Sequence, residues 1–197
     1  MPTSRLEAFS DGVFAIAITL LVLEIRVPGQ GESLSSALLH RWPSYFAYAV
    51  SFLTIGIMWV NHHQVFKFVK ATDRKLLFVN LGLLMCVAFV PFPTSVVAEF
   101  IRSAGQARAA AVLYGVTFTV TAAFWQLLWY WGIRRPDILS EHADRAALSA
   151  IDRGFWLGLP VYAAGTAVAL ANPIASVAIF GAVAAFYVFE RPLARER

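Results

Sequence analysis

The residues of this sequence best suited to chemistry are one aspartate and two histidines set among long apolar stretches. Asp11 precedes the first apolar run, and His62 and His63 are adjacent near the end of another. A carboxylate beside an imidazole can relay protons or bind a metal ion. Metal-binding histidines on a helix are usually three or four residues apart, whereas adjacent side chains point about 100° apart. We therefore favour a structural hydrogen-bond network around the carboxylate, with a proton relay or metal site as the alternative.

The composition places these polar residues in a membrane protein. Of 197 residues, 59% are hydrophobic and 14% are charged, whereas soluble domains carry about a quarter charged residues. The net charge is +4, but the basic residues separate apolar runs and form no single patch, which argues against nucleic-acid binding. The single cysteine, Cys86, cannot form an intrachain disulfide. We therefore expect most of the chain to lie within a lipid bilayer.

Six apolar segments predict an all-α integral membrane protein with six transmembrane helices. A helix needs about 20 mostly apolar residues to cross the hydrocarbon core. Asn172-Pro173 is a turn signal that divides the last long run into two short helices. Acidic residues ahead of the first run argue against a cleaved signal peptide. The predicted spans, in a single domain of residues 1–197, are residues 6–27, 43–67, 76–98, 109–133, 154–171 and 173–190.

The distribution of lysine and arginine predicts the orientation of the spans. With six spans both termini share one side, and that side carries 12 of the basic residues against 4 on the other. Cytoplasmic loops are enriched in lysine and arginine, so we predict that both termini are cytoplasmic. This orientation brings the intramembrane polar residues of the first three spans to one depth near the inner face. They are Ser10, Asp11, Asn61, His62, His63 and Asn80.

The first span has an apolar stripe along one side. At about 100° per residue, Ile16, Thr19, Leu20 and Leu23 fall on the same side of the helix, and Asp11 falls well away from them. The stripe is apolar except for one hydroxyl. From these residues alone, an ordinary packed core is the simpler interpretation.

The N-terminal motif gives the stripe a second interpretation. The pattern Arg5-x3-Phe9-Ser10-Asp11-x7-Thr19 resembles the signature of the transmembrane protein 175 family of potassium channels, and the segment 12–25 is similar to the first helix of its bacterial members. This chain has one copy of the signature, whereas the animal members have two six-helix repeats. The resemblance implies a potassium-permeable leak-type channel without a cofactor. It also implies a homotetramer in the bacterial inner membrane, with potassium ions as the permeant species.

The resemblance further implies roles for individual residues. The first helix would line a central four-fold pore, with a hydrophobic constriction at Ile16 and further layers at Leu20 and Leu23. Thr19 would confer potassium selectivity, because hydroxyl oxygens can replace part of the hydration shell of the ion. An inter-helix network would hold the pore helix in place. Its members would be Arg5, Phe9, Ser10, Asp11, Trp59, His63 and Asn80.

Two other classes of function are less compatible with the sequence. A proton-coupled secondary transporter would use Asp11 and His63 as its relay, but it would also require polar groups at the bilayer midplane and broken helices in matching halves. A membrane-embedded enzyme would require a nucleophile with its base or a metal constellation. The polar residues lie near the inner face, and the adjacent histidines are the nearest approach to a catalytic group. We therefore expect a channel and no enzymatic activity.

Overall fold

The computed structural model of the chain describes residues 3–29, 33–133, 139 and 145–189, and these residues form an all-helical bundle. A 3-10 turn, Leu21–Glu24, extends the first helix. Within the described ranges the helices, in chain order, are α1 (Ser4–Leu20), α2 (Leu34–His40), α3 (Trp42–Lys67), α4 (Arg74–Phe89), α5 (Pro91–Phe100), α6 (Ala107–Ile133), α7 (Arg145–Ala169) and α8 (Pro173–Phe189).

Several of these helices are long and apolar enough to cross a membrane. Within the described residues, four stretches meet this requirement: Ser4–Glu24, Trp42–Lys67, Arg74–Phe100 and Ala107–Gly132. The apolar parts of α7 and α8, Trp156–Ala169 and Pro173–Val188, are shorter. The count of six spans therefore stays a prediction. Residue 190, at the end of the sixth predicted span, lies outside the described residues, as do the loop arginines at 134–135 and the tail at 191–197.

The third predicted span consists of two helices, because two prolines interrupt its hydrogen bonds. Pro91 and Pro93 have no N–H group to donate to the carbonyls one turn earlier. The Thr94 hydroxyl donates to the Val90 carbonyl at 2.8 Å, in addition to the Thr94 N–H at 3.2 Å. Val90 keeps helical dihedral angles (φ −52°, ψ −39°). The chain therefore loses hydrogen bonds at this point without changing from a helical conformation.

The centre of the bundle is α6, which packs against α4, α5, α7 and α8. Its buried residues Tyr114 and Phe118 have ring centroids 4.8 Å apart. Both rings contact Phe180 of α8, at 5.6 and 6.1 Å, and Phe118 stacks on Tyr162 of α7 at 5.9 Å. This aromatic cluster joins the last two helices to the rest of the bundle.

A buried hydroxyl cluster joins α3, α5 and α6. The Ser51 hydroxyl oxygen lies 2.8 Å from the Thr94 hydroxyl and 2.9 Å from the Tyr114 hydroxyl, and all three residues are buried. A buried polar group without a partner costs about 1–3 kcal/mol. Across the described residues, no buried side-chain nitrogen or oxygen lacks a hydrogen-bond partner.

A chain of buried hydrogen bonds attaches α1 to α3 and α4. The Ser10 hydroxyl donates to the Leu6 carbonyl at 2.8 Å and accepts from Asn80 Nδ2 at 3.0 Å. Asn80 Oδ1 lies 2.8 Å from His62 Nε2. An amide oxygen only accepts, so His62 donates from Nε2. Ser10, Asn80 and His62 are almost completely buried, and the chain they form fixes the rotation of α1 about its own axis.

The histidine in this series of hydrogen bonds is His62 and not the predicted His63. Adjacent side chains on a helix point about 100° apart, so the two imidazoles cannot face the same neighbours. His62 lies on the buried face of α3, whereas His63 is exposed. The His62 ring also packs against Phe14 of α1 and Phe66 of α3, with centroids 5.4 and 4.5 Å away.

We expect His62→Ala to lower the stability of the protein and His63→Ala to leave it nearly unchanged. The first substitution removes the donor to Asn80 Oδ1, and a buried acceptor without a donor costs about 1–3 kcal/mol. It also leaves a cavity beside Phe14. Thermal unfolding of the purified variants in detergent measures the difference. An equal loss of Tm in both variants would contradict the assignment of His62 to the chain.

Candidate functional site

The two sides of α1 have different surroundings. One side packs against α3 and α4, and its buried residues are Ser10, Phe14, Ala17 and Leu21. The opposite side is not covered by the rest of the chain. Ile16, Leu20 and Leu23 on that side are 62%, 41% and 72% exposed. We call the side of α1 and of its 3-10 extension that carries Gly12, Ile16, Thr19, Leu20 and Leu23 the uncovered face of α1.

Small residues on the uncovered face permit another helix to approach. A Cβ atom placed on Gly12 would have no atom within 4 Å, and Ala15 is exposed beside it. In membranes, helices associate through close packing at such small residues. The uncovered face therefore combines exposed branched apolar side chains with small residues at which another helix can pack closely.

Thr19 places a hydroxyl in the middle of this apolar surface. Its Oγ1 atom lies 2.9 Å from the carbonyl oxygens of both Ala15 and Ile16, and it donates its hydrogen back to the helix. A hydroxyl has two acceptor lone pairs in addition to its one donor. Because the hydrogen is engaged by the backbone, the Thr19 oxygen is left to act as an acceptor. It can therefore contact a cation or a water hydrogen.

A second polar link between α1 and α3 lies at the margin of the uncovered face. The Trp59 indole N–H donates to Asp11 Oδ1 at 2.9 Å, and both residues are exposed in the single chain. Asp11 therefore lies away from the line of Ile16 and Leu23, as its position on the helix predicts. The carboxylate is held by an indole and not by the neighbouring histidines.

The remaining members of the predicted network are not brought together within one chain. Arg5 and Phe9 are exposed, with Phe9 on the side of α1 that is away from Asn80. In the described part of the chain, Arg5 has no side-chain hydrogen bond or ion pair. His63 is exposed as well. The structure thus divides the predicted set into a buried chain through Ser10 and Asn80, the Asp11–Trp59 link and three exposed side chains.

The sequence predicts that His62 lies level with Ser10 and Asn80, but it does not distinguish His62 from His63. Asn61, His62 and His63 lie at the same level of α3, and which of them faces α1 depends on the rotation of α3. The described residues contain no group of three or more His, Cys, Asp or Glu side chains placed to hold a metal ion.

Comparison with known proteins gives matches over nearly the whole chain. The model of the family described as "Endosomal/lysosomal potassium channel TMEM175" matches residues 5–91, which include α1 except for its first residue, Ser4. A potassium channel of Streptomyces collinus is 45% identical over 192 residues, which cover 96% of this chain and 93% of the relative. A potassium channel of Chamaesiphon minutus is 42% identical over 189 residues, which cover 94% and 93%.

Animal relatives match a shorter region. The endosomal/lysosomal proton channel TMEM175 of Gallus gallus is 38% identical over 125 residues, which are 58% of this chain and 25% of that protein.

The fold also has a solved counterpart. The crystal structure of a lysosomal potassium-selective channel TMEM175 homolog from Chamaesiphon minutus matches with a TM-score of 0.87 at 41% identity, covering 94% of this chain and 96% of that one. The sequence similarity and the structural similarity therefore extend over almost the same length of this chain. The chain belongs to the TMEM175 family of ion channels.

Proposed function

We propose that this chain forms a potassium-permeable, leak-type cation channel in which four copies surround a pore lined by α1. The bacterial relatives are potassium channels, and their similarity extends over more than nine-tenths of this chain. The observation that carries the proposal is the uncovered face of α1. A membrane-spanning helix near the N-terminus exposes a regular line of branched apolar side chains together with one acceptor oxygen.

In the proposed pore, the uncovered face forms successive rings around the axis. Four copies of Ile16 make the narrowest ring, and Leu20 and Leu23 make further apolar layers. Narrow apolar rings gate ion flow by excluding water. Four Thr19 oxygens, whose hydrogens are engaged by the helix, replace part of the hydration shell of a potassium ion. One ring of hydroxyls supplies fewer oxygens than a carbonyl filter, so we expect moderate discrimination against sodium.

The polar contacts of α1 have a positioning role in this proposal. The buried chain through Ser10, Asn80 and His62 sets the rotation of α1, and the Asp11–Trp59 link holds its inner end. Arg5 and Phe9, which are exposed in the single chain, join the network through a neighbouring copy. With the termini on the cytoplasmic side of a bacterial inner membrane, these contacts lie near the inner mouth.

A proton-coupled transporter based on Asp11 and His63 has less support. Asp11 Oδ1 is bonded to Trp59, and His63 is exposed on a different side of α3 from the buried His62.

Passive potassium flux distinguishes the two functions. We expect the reconstituted protein to give a reversal potential that follows the potassium gradient when the proton concentration is equal on both sides. A channel needs no coupling ion, whereas the transporter carries potassium only with a proton. A bilayer recording of the purified protein measures this. An absence of current, or a reversal potential that differs from the potassium equilibrium potential under these conditions, would contradict the channel.

Selectivity depends on Thr19 in this proposal. We expect Thr19→Val, which removes the oxygen and keeps the shape, to lower the potassium-to-sodium permeability ratio about fivefold, as a loss of about 1 kcal/mol of oxygen–ion interaction implies. Reversal potentials under potassium and sodium gradients give the ratio.

Thr117→Val is the matched control for this substitution. The Thr117 hydroxyl also donates to the carbonyl four residues earlier, that of Leu113, but it lies on α6. An unchanged ratio in Thr19→Val, or an equal change in the control, would show that the hydroxyl of Thr19 does not select the ion.

The apolar ring at Ile16 sets the conductance. We expect Ile16→Asn to raise the single-channel conductance severalfold, because a polar ring removes the cost of keeping water in the constriction. Val22→Asn is the control, since Val22 is exposed but lies away from the line of Ile16 and Leu23. Single-channel recording compares the two variants. If both leave the conductance at the wild-type value, Ile16 is not the narrowest point.

A further inference from the structure

The helix α2 has the features of a segment that lies in the membrane interface. A single residue, Arg41, separates its end at His40 from the start of α3 at Trp42. Leu34 and Leu39 are 63% and 76% exposed, and Leu38 and Trp42 are exposed beside them. Short helices with an exposed apolar side bind at the level of the lipid headgroups, and tryptophan is enriched there. The exposed apolar side chains of α2 are therefore followed directly by an exposed tryptophan at the start of α3.

The other side of α2 borders a polar crevice. The crevice has a volume of about 510 Å³ and is lined by Ser33, Ser36, Ala37, His40 and Arg41. The His40 imidazole is fixed by a contact of 2.9 Å between its Nδ1 and the Ser36 carbonyl oxygen. Two hydroxyls, an imidazole and a guanidinium therefore face the same space.

Among the described residues, the arginines beside the crevice have no acidic side chain paired with them. Arg102 Nη1 donates to the His40 carbonyl at 3.4 Å, so a second guanidinium lies at the C-terminal end of α2. In the residues that the structure describes, neither arginine has an acidic partner, and the ion pair at this end joins Arg26 to Glu99 at 3.4 Å. Arginine binds phosphate with two parallel hydrogen bonds. An anionic group at the level of the lipid headgroups would neutralise the positive charge of these arginines.

We propose that this crevice binds the phosphate headgroup of an anionic phospholipid, whose acyl chains lie along the exposed leucines of α2. Arg41 makes the main contact with the phosphate, and the hydroxyls of Ser33 and Ser36 complete its coordination. Inorganic phosphate would satisfy Arg41 but would leave Leu34 and Leu39 uncovered. The polar crevice and the exposed leucines lie on the same short helix, and a phospholipid has both a phosphate for the crevice and acyl chains for the leucines. This site is separate from the uncovered face of α1.

Retention of lipid by the purified protein tests the proposal. The intact protein is extracted from vesicles containing equal amounts of phosphatidylglycerol and phosphatidylcholine, and the lipid that it retains is measured by native mass spectrometry. We expect preferential retention of phosphatidylglycerol by the wild type. Arg41→Gln should reduce this retention about fivefold, the effect of one arginine at a lipid surface, and Arg41→Lys should keep most of it.

Arg26→Gln is the matched control, because it removes one positive charge at the same end of the molecule from a residue that already has an acidic partner. It should leave the retention unchanged, and the Tm of each variant shows that it is folded. Equal retention by Arg41→Gln and the wild type would overturn the proposal. Displacement of the lipid by inorganic phosphate would also overturn it, since the site would then be one for a free anion. Loss of retention in Leu39→Asn would support the contact with the acyl chains.

Discussion

The rotation of α1 depends on polar groups, because apolar packing alone does not determine it. In a bilayer, an apolar side chain is nearly as stable against lipid as against another helix. Both sides of α1 are largely apolar, with Phe14 on one and Ile16 on the other. What distinguishes them is Ser10, whose hydroxyl is paired with Asn80 in the interior. A buried hydrogen bond that cannot be replaced by water therefore decides which residues remain uncovered.

The same constraint acts elsewhere in the bundle. Ser51 joins Thr94 and Tyr114, so that one hydroxyl connects three helices and also stabilises the interrupted segment between α4 and α5. The Ser176 hydroxyl donates to the carbonyl of Gly165 at 2.7 Å and links α8 to α7. In each case a short side chain satisfies its hydrogen bond across a helix contact. The helices are thus located by a few hydrogen bonds, while aromatic and aliphatic packing fills the space between them.

The sequence predicts those features that depend on periodicity within one helix. The line of Ile16 and Leu23 on α1 follows from its spacing, and the break at Pro91 could have been read from the missing N–H groups of the two prolines. The choice of His62 over His63 depends on how α3 is rotated against its neighbours, which no local pattern determines. The helix α2 is too short for a search based on spanning length. The partners of Ser51 are far apart in the sequence and carry no local signal.

The distance along α1 between Ser10, which attaches the helix to α4, and the Thr19 hydroxyl has a consequence for how this protein can evolve. Thr19 follows Ser10 by nine residues, which is two and a half turns of helix and about 13 Å. The two side chains therefore point in opposite directions. Inserting or deleting a single residue between them would turn the hydroxyl by about 100° towards a neighbouring helix. If Thr19 faces a pore as proposed, the length of this segment is therefore constrained independently of the side chains between its two ends.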